Sequence, residues 1–300
     1  MEYRFLGSSG LEVSVLSFGT MTLGGEGRFA AMGNIQAEEA TRLVGICLDA
    51  GVNLFDTADI YSFGKSEEVL GQALGARRKD IVLATKVFNR LEPGPNNVGL
   101  SRLHIIKGCE DSLRRLGTDY IDLYQVHTFD SLTPLDETLR ALDDLIRAGK
   151  VRYVGCSNYS GWQLMKAHYL ARELGVHRYI SQQINYSLLA RDAEHELVPA
   201  GLDQRIGIMA WSPLQFGLLS GKFRRGQPRP SESRLNSLDA PGAIDEERLY
   251  RIVDALDEIA AARGVSVAQV ALNWVMRKPC VDTVIIGARN EQQLRDNLAA

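Results

Sequence analysis

Short apolar runs alternate with amphipathic stretches along this chain. The runs are VSVLSFG, VNLFD, IVLATK, IDLYQVH, VRYVGCS, YISQQIN, IGIMAWS and DTVIIGA. Each has strand length, and most are near-continuously apolar, as expected for strands covered on both faces. Between them lie segments such as EEATRLVGICLDAG, HIIKGCEDSLRRLG, LDETLRALDDLIRAGK and LYRIVDALDEIAAARG, whose apolar residues recur with helical spacing. Several of these stop at glycine, as at Gly51, Gly117 and Gly149, which suits a left-handed C-cap. Repeated strand–helix units predict a parallel sheet with crossover helices. Eight units without a composition break predict one closed (β/α)8 barrel domain over residues 1–300 in place of an open doubly wound sheet. Ahead of the first barrel strand, YRFLGSSGLEV reads as a small hairpin turned by Ser-Ser-Gly and placed to plug the barrel floor.

Two connections are long: Phe88 to Ser101, and about Leu214 to Asp245. Long segments in compact domains are usually functional or disordered, and in a barrel the loop after a strand lies on the active-site face.

Composition narrows the picture further. The 300 residues are 45% hydrophobic and 24% charged, enough for a large core. A net charge of −3 supplies no basic field for nucleic acid. No stretch approaches the ~18 apolar residues of a membrane span, and MEYRFLGSSG lacks the pattern of a signal peptide. Cys47, Cys109, Cys156 and Cys280 are scattered and apolar in context, so no disulfide framework is expected and a reducing cytoplasm is the expected location. The five histidines form neither HxxxH nor HExxH, so no metal site is expected. Nothing in the sequence speaks for an oligomeric state.

Four polar residues stand at or just beyond successive strand ends: Asp56, Tyr61, Lys86 and His127. Taken singly, they could be a structural ion pair, a loop aromatic and a rim histidine. Together at one barrel mouth they form a set that can deliver a proton to a carbonyl oxygen. A free phenol has a pKa of about 10, and a neighbouring ammonium favours the phenolate and lowers it. Lys86 is that ammonium, Asp56 its counterion, and His127 a donor that fixes the carbonyl's angle. A strand-end lysine could instead form a Schiff base, but this requires a depressed lysine pKa, which Asp56 opposes.

GTMTLGGEG does not match the spacing of a Rossmann turn, so any nucleotide is held another way. The segments LSFGTM, NLFDTADIYSFGKSEEVLG, ATKV, SLRRLGTDYIDLYQVH, ETLRALDDLIRAGKVRYVGCSNYS, WSPLQFGLLSGK and VIIGARNEQQLRDN together resemble the aldo-keto reductases over essentially the whole chain. The loop SPLQFGLLSGK is more similar to the bacterial and potassium-channel β-subunit branches than to the mammalian aldose reductase branch. The resemblance implies an NAD(P)H-dependent oxidoreductase of the carbonyl-reductase kind, acting on a small-molecule carbonyl without nucleic acid or membrane. It places the family's catalytic tetrad on Asp56, Tyr61, Lys86 and His127. The implied reaction is hydride transfer from nicotinamide C4 to the carbonyl carbon, with Tyr61 protonating the developing alkoxide.

The cofactor contacts it implies begin with Gly19, Thr20 and Met21 of LSFGTM and with Asp56. Ser157, Asn158 and Gln183 would bind the carboxamide, although a strand-end Ser-Asn is also a common helix cap. Trp211 would stack under the nicotinamide, a position otherwise read as core. Ser212, Pro213, Leu214, Gly217 and Lys222 would form the pyrophosphate loop. Gly287 and Arg289 would receive a 2′-phosphate at a helix start, which favours NADPH over NADH. Gln293 and Asn297 follow on one helix face as adenine contacts. Arg234 could also reach the phosphate. Met21, Phe29, Phe88 and Phe129 are candidates for the substrate pocket. Family members usually continue past NLAA with a helix bordering that pocket, whereas this sequence stops at Ala300, so the resemblance leaves the pocket's shape open. A redox-sensing, NADPH-binding regulatory subunit with slow turnover is the alternative reading.

Overall fold

The computed structural model describes residues 1–228, 230 and 245–300. Arg234 and most of the second half of the long connection before Asp245 therefore lie outside the described residues. The chain opens with an antiparallel hairpin, β1 (Tyr3–Phe5) and β2 (Glu12–Ser14), with Tyr3 opposite Ser14 and Phe5 opposite Glu12. Eight parallel strands then close into a barrel. They are β3 (Leu16–Gly19), β4 (Leu54–Asp56), β5 (Val82–Val87), β6 (Ile121–Val126), β7 (Val151–Ser157), β8 (Ser181–Asn185), β9 (Gly207–Trp211) and β10 (Val281–Ile286). Closure is made by β10, which pairs with both β9 and β3.

Each of the eight apolar runs supplies one barrel strand. The first run divides: Val13 and Ser14 stay in the hairpin, and the barrel strand begins at Leu16. Ser14 causes the break, because its hydroxyl donates to the Leu16 carbonyl at 2.6 Å and its N–H donates to Asn53 Oδ1 at 2.7 Å. The chain is thereby turned from the floor hairpin into the wall. The hairpin does plug the floor. Leu6 and Val13, both fully buried, pack with Leu54, Val82, Ala84, Leu123, Met209 and Ile285 inside the barrel.

Among the described residues nine α-helices surround the barrel: α1 (Ala37–Asp49), α2 (Lys65–Leu74), α3 (Arg102–Leu116), α4 (Leu135–Arg147), α5 (Gly161–Leu174), α6 (Leu197–Gln204), α7 (Glu246–Arg263), α8 (Val267–Met276) and α9 (Glu291–Leu298). Their termini follow local chemistry. Ser101 caps α3 by accepting from His104 N, and Gly117 ends it at φ 63°. Ser266 and Gln269 form a capping box on α8. The outward residues of each strand meet these helices, as Tyr124 and Val126 of β6 do in a cluster with Ile105 and Cys109 of α3.

Both long connections rise from the C-terminal ends of strands. Residues 88–101 pack Leu91 on Phe29, Met32, Ala58 and Ile60. Asp130 holds the end of that loop by accepting from Leu100 N at 2.8 Å. The segment after β9 packs Leu218, Leu219 and Phe223 on Leu249, Val253 and Leu256 of α7.

Candidate active site

Above the apolar floor the barrel interior turns polar. Lys86, at the C-terminal end of β5, is wholly buried. Its Nζ donates to Asp56 Oδ1 at 2.6 Å, to the Thr57 carbonyl at 2.7 Å and to Tyr61 Oη at 3.3 Å. Three acceptors saturate the three N–H bonds of an ammonium. Burial alone would drive its pKa down, but the Asp56 carboxylate and the Tyr61 oxygen outweigh it and hold the pKa above the ordinary lysine value. Lys86 is therefore a fixed cation, which removes the Schiff-base reading. The other oxygen of Asp56, Oδ2, accepts from Gln183 Nε2 at 2.8 Å and Gln125 Nε2 at 3.1 Å.

Because Lys86 donates to the Tyr61 oxygen, the phenolic proton points elsewhere. One expectation changes here. The ammonium does act to lower the tyrosine pKa, but burial of the phenol is the larger effect, and the net direction is upward. Tyr61 thus keeps its proton at neutral pH, as an acid must.

His127 follows β6, its ring in edge-to-face contact with Tyr61 at 5.9 Å between centroids. Burial, then the Lys86 charge, pushes its pKa down to about 3, so the imidazole is neutral. The Asn89 side-chain amide lies 3.3 Å from Nδ1. Assigning that amide nitrogen as donor makes Nδ1 the acceptor and leaves the ring proton on Nε2.

Tyr61, His127 and Asp56 line a cavity of about 730 Å³ at the C-terminal mouth of the barrel. Lys86 sits behind them, outside the lining. Arg234 aside, which lies outside the described residues, every residue expected to contact a cofactor borders the same cavity. Gly19, Thr20 and Met21 come from the end of β3; Ser157 and Asn158 from β7; Gln183 from β8; Trp211 from β9. Ser212, Pro213, Leu214, Gly217 and Lys222 follow β9, and Gly287, Arg289, Gln293 and Asn297 follow β10. Asn158 adopts φ 55°, donates through Nδ2 to the His127 carbonyl at 3.0 Å, and accepts from Trp211 Nε1 at 3.2 Å. It therefore joins the indole to the His127 backbone. Ser157 donates to the Gln183 carbonyl at 3.0 Å.

The far end is built on α9. Asn290 caps it by accepting from Gln293 N, Gln293 Oε1 accepts from Arg289 N, and Asn297 Nδ2 donates to the Gly287 carbonyl. A Cβ at Gly287 would meet no protein atom within 4 Å, so this backbone is presented bare to the cavity. Ser212, Gln215 and Phe216 take positive φ values of 51°, 46° and 56° in the connecting loop. Strain of this kind concentrates at ligand sites. A cavity lined by a neutral imidazole and a phenol and also by Lys222 and Arg289 fits a phosphate-bearing dinucleotide.

Other expectations separate. Of the four pocket candidates only Met21 lines the cavity. Phe29 is buried against the Tyr61 ring at 6.2 Å. Phe88 packs beside the β6 and α3 cluster, and Phe129 packs on Tyr159 and Trp162. Phe216, Phe223, Ala268, Leu272 and Asp296 line the cavity without a sequence signal. Gln125 and Asn89 were also not singled out, since each acts on a partner from another strand end. Among the described residues no single helix is long and apolar enough to cross a membrane.

A model of the Aldo/keto reductase family matches residues 15–300. A probable voltage-gated potassium channel subunit beta of Arabidopsis thaliana is 40% identical over 100% of this chain and 91% of its own length. An uncharacterized oxidoreductase of Bacillus subtilis, YrpG, is 39% identical over 100% of this chain and 91% of its own. The versiconal hemiacetal acetate reductase of Aspergillus parasiticus is 34% identical over 100% of this chain and 92% of its own.

Proposed function

This chain belongs to the aldo/keto reductase family, and on that premise we propose that it reduces aldehydes or ketones to alcohols with NADPH, as a cytoplasmic enzyme folded as one barrel domain. The observation that carries the reading is the Asp56–Lys86–Tyr61 hydrogen-bond chain, its first two members buried, opening on a cavity of about 730 Å³. A bound nicotinamide would supply the hydride to the carbonyl carbon. Tyr61 gives its proton to the carbonyl oxygen as negative charge develops there. Lys86 stabilises the phenolate left behind, at 3.3 Å and without a proton change of its own. Asp56 keeps Lys86 charged and placed. His127, neutral and with its proton on Nε2, donates to the carbonyl oxygen and sets its angle to Tyr61.

For the cofactor, Trp211 offers the stacking face, Ser157, Asn158 and Gln183 the polar groups around the carboxamide, and the 212–222 loop with Lys222 the pyrophosphate cradle. Arg289, at the entry to α9, selects the 2′-phosphate of NADPH. A reductase named among the relatives supports the reductive reading in general.

Purified protein, NADPH and 4-nitrobenzaldehyde, followed at the nicotinamide absorbance band, test the proposal. Tyr61→Phe is expected to lower kcat by about 10²–10⁴-fold with the cofactor Kd little changed. Undiminished turnover in that variant overturns the acid assignment. The potassium channel subunit among the relatives favours a second reading, an NADP(H)-binding redox-sensing regulatory subunit. Tight NADPH binding with negligible turnover across an aldehyde panel would select it.

A further inference from the structure

We infer that Gln125 is a positioning residue: with Gln183 it clamps one oxygen of Asp56 so that the other stays on Lys86. This rests on the roles proposed above for Asp56, Lys86 and Tyr61.

From Leu123 to Val126 the residues of β6 alternate between the barrel interior and the helices. Leu123 belongs to the apolar interior of the barrel, while Tyr124 and Val126 face the helices. Gln125 shares the interior parity of Leu123 and is fully buried. A buried amide without partners costs about 1–3 kcal/mol, and a leucine of similar volume would suit the layer beneath. The amide is satisfied in one way. Its Nε2 donates to Asp56 Oδ2 at 3.1 Å, and its Oε1 accepts from Gln183 Nε2 at 3.3 Å. Gln183 Nε2 also reaches Asp56 Oδ2, at 2.8 Å. Side chains from β4, β6 and β8 thus close a three-membered ring. Lys86, the register partner of Gln125 on β5, takes Asp56 Oδ1.

A carboxylate held by a single ammonium can turn about its χ2, because that torsion is broad and two-fold. Two amide donors on Oδ2 remove this freedom. They set the direction of Oδ1, hence the position of Lys86 Nζ, hence its 3.3 Å approach to Tyr61. The titratable groups that act on Lys86 and Tyr61 here are Asp56 on β4 and Asp59 beyond it, and Lys86 in turn acts on His127 beyond β6. Gln125 carries no charge among them, so its effect is directional.

Three substitutions test this. Q125L and Q125M remove the amide at nearly constant volume. Both are expected to lower kcat by about 10- to 100-fold while the carbonyl KM and the NADPH Kd stay within about 3-fold. Q125E keeps the acceptor for Gln183. When protonated, its carboxyl can donate to Asp56 Oδ2 as the amide does; when ionised, it repels Asp56. The ratio of kcat for Q125E to kcat for Q125L should therefore rise as pH falls from about 8 to about 5.5. Wild-type kcat in Q125L and Q125M, or a flat ratio for Q125E, overturns the proposal.

A second measurement needs no turnover. Without cofactor, the Tm of Q125E relative to Q125L should fall as pH rises over that interval, and the fall should at least halve in a D56N background. An unchanged fall means that position 125 does not sense Asp56 and overturns the inference. If wild type reduces no carbonyl, the reductase reading fails, and this cycle still decides the clamp. If Q125E does not fold, the kcat of Q125L and Q125M decides it alone.

Discussion

At the scale of single residues, the environment of each side chain sets its chemistry. His127 shows this most plainly. Its pKa is pushed down to about 3 by burial and by the Lys86 charge, whereas in the unfolded chain it titrates near 6.5. Between those values the folded protein binds fewer protons than the unfolded one, so stability falls as pH falls through that window. His127→Gln removes the titration. Urea denaturation at about pH 7 and about pH 4.5 should show a smaller acid loss of stability in the variant than in wild type; equal losses would refute the neutral-imidazole assignment. Arg289 gives a second test at this scale. Replacing it by alanine should raise the KM for NADPH by about 10- to 100-fold, the equivalent of one charge-assisted hydrogen bond, and leave the KM for NADH nearly unchanged. An equal rise for both cofactors would place Arg289 away from the 2′-phosphate.

At the scale of elements, the cavity depends on how helix ends are fastened. Ser266 accepts from Gln269 N at 3.1 Å and donates to Asp296 Oδ2 at 2.9 Å, so one hydroxyl caps α8 and ties it to α9. Both helices border the cavity, α8 through Ala268 and Leu272 and α9 through Asp296 and Asn297. Ser266→Ala should cost about 1–2 kcal/mol in urea denaturation and weaken NADPH binding. A Kd unchanged alongside a normal loss of stability would show that the cap serves the fold alone. The strands were legible element by element, because apolar runs of strand length between glycine-ended helices admit few other readings. Val13 and Ser14 are the exception. Their run is continuous in sequence, and the hydrogen bonds of Ser14 to the Leu16 carbonyl and to Asn53 divide it. Phe88 and Phe129 departed from expectation for a related reason. An apolar residue beside a strand end can turn toward the cavity or toward the helices, and its neighbours in sequence do not decide which.

At the scale of the molecule, the barrel separates stability from chemistry along its axis. The floor is apolar and sealed by the hairpin, and the mouth is polar and open. Leu6→Ala in the plug should therefore destabilise the fold by about 2–5 kcal/mol, read in urea, with kcat unchanged at temperatures well below the transition. A kcat loss matching the stability loss would mean that floor and mouth are coupled.

The sequence by itself determined the eight strands, the order of the units and the four polar strand-end residues, and its resemblance to a family implied the cavity-lining motifs. The first three are local: periodicity, run length and residue spacing are read within a few tens of residues. Only the tertiary structure decided what those residues do to one another. The direction of the Tyr61 pKa, the tautomer of His127, the amide clamp on Asp56 and the one pocket candidate that faces the cavity all depend on burial and on partners from distant strands. The reason is physical. Desolvation and hydrogen bonding at the mouth of a barrel are set by residues that closure brings within hydrogen-bond reach, and closure joins strands that are distant along the chain.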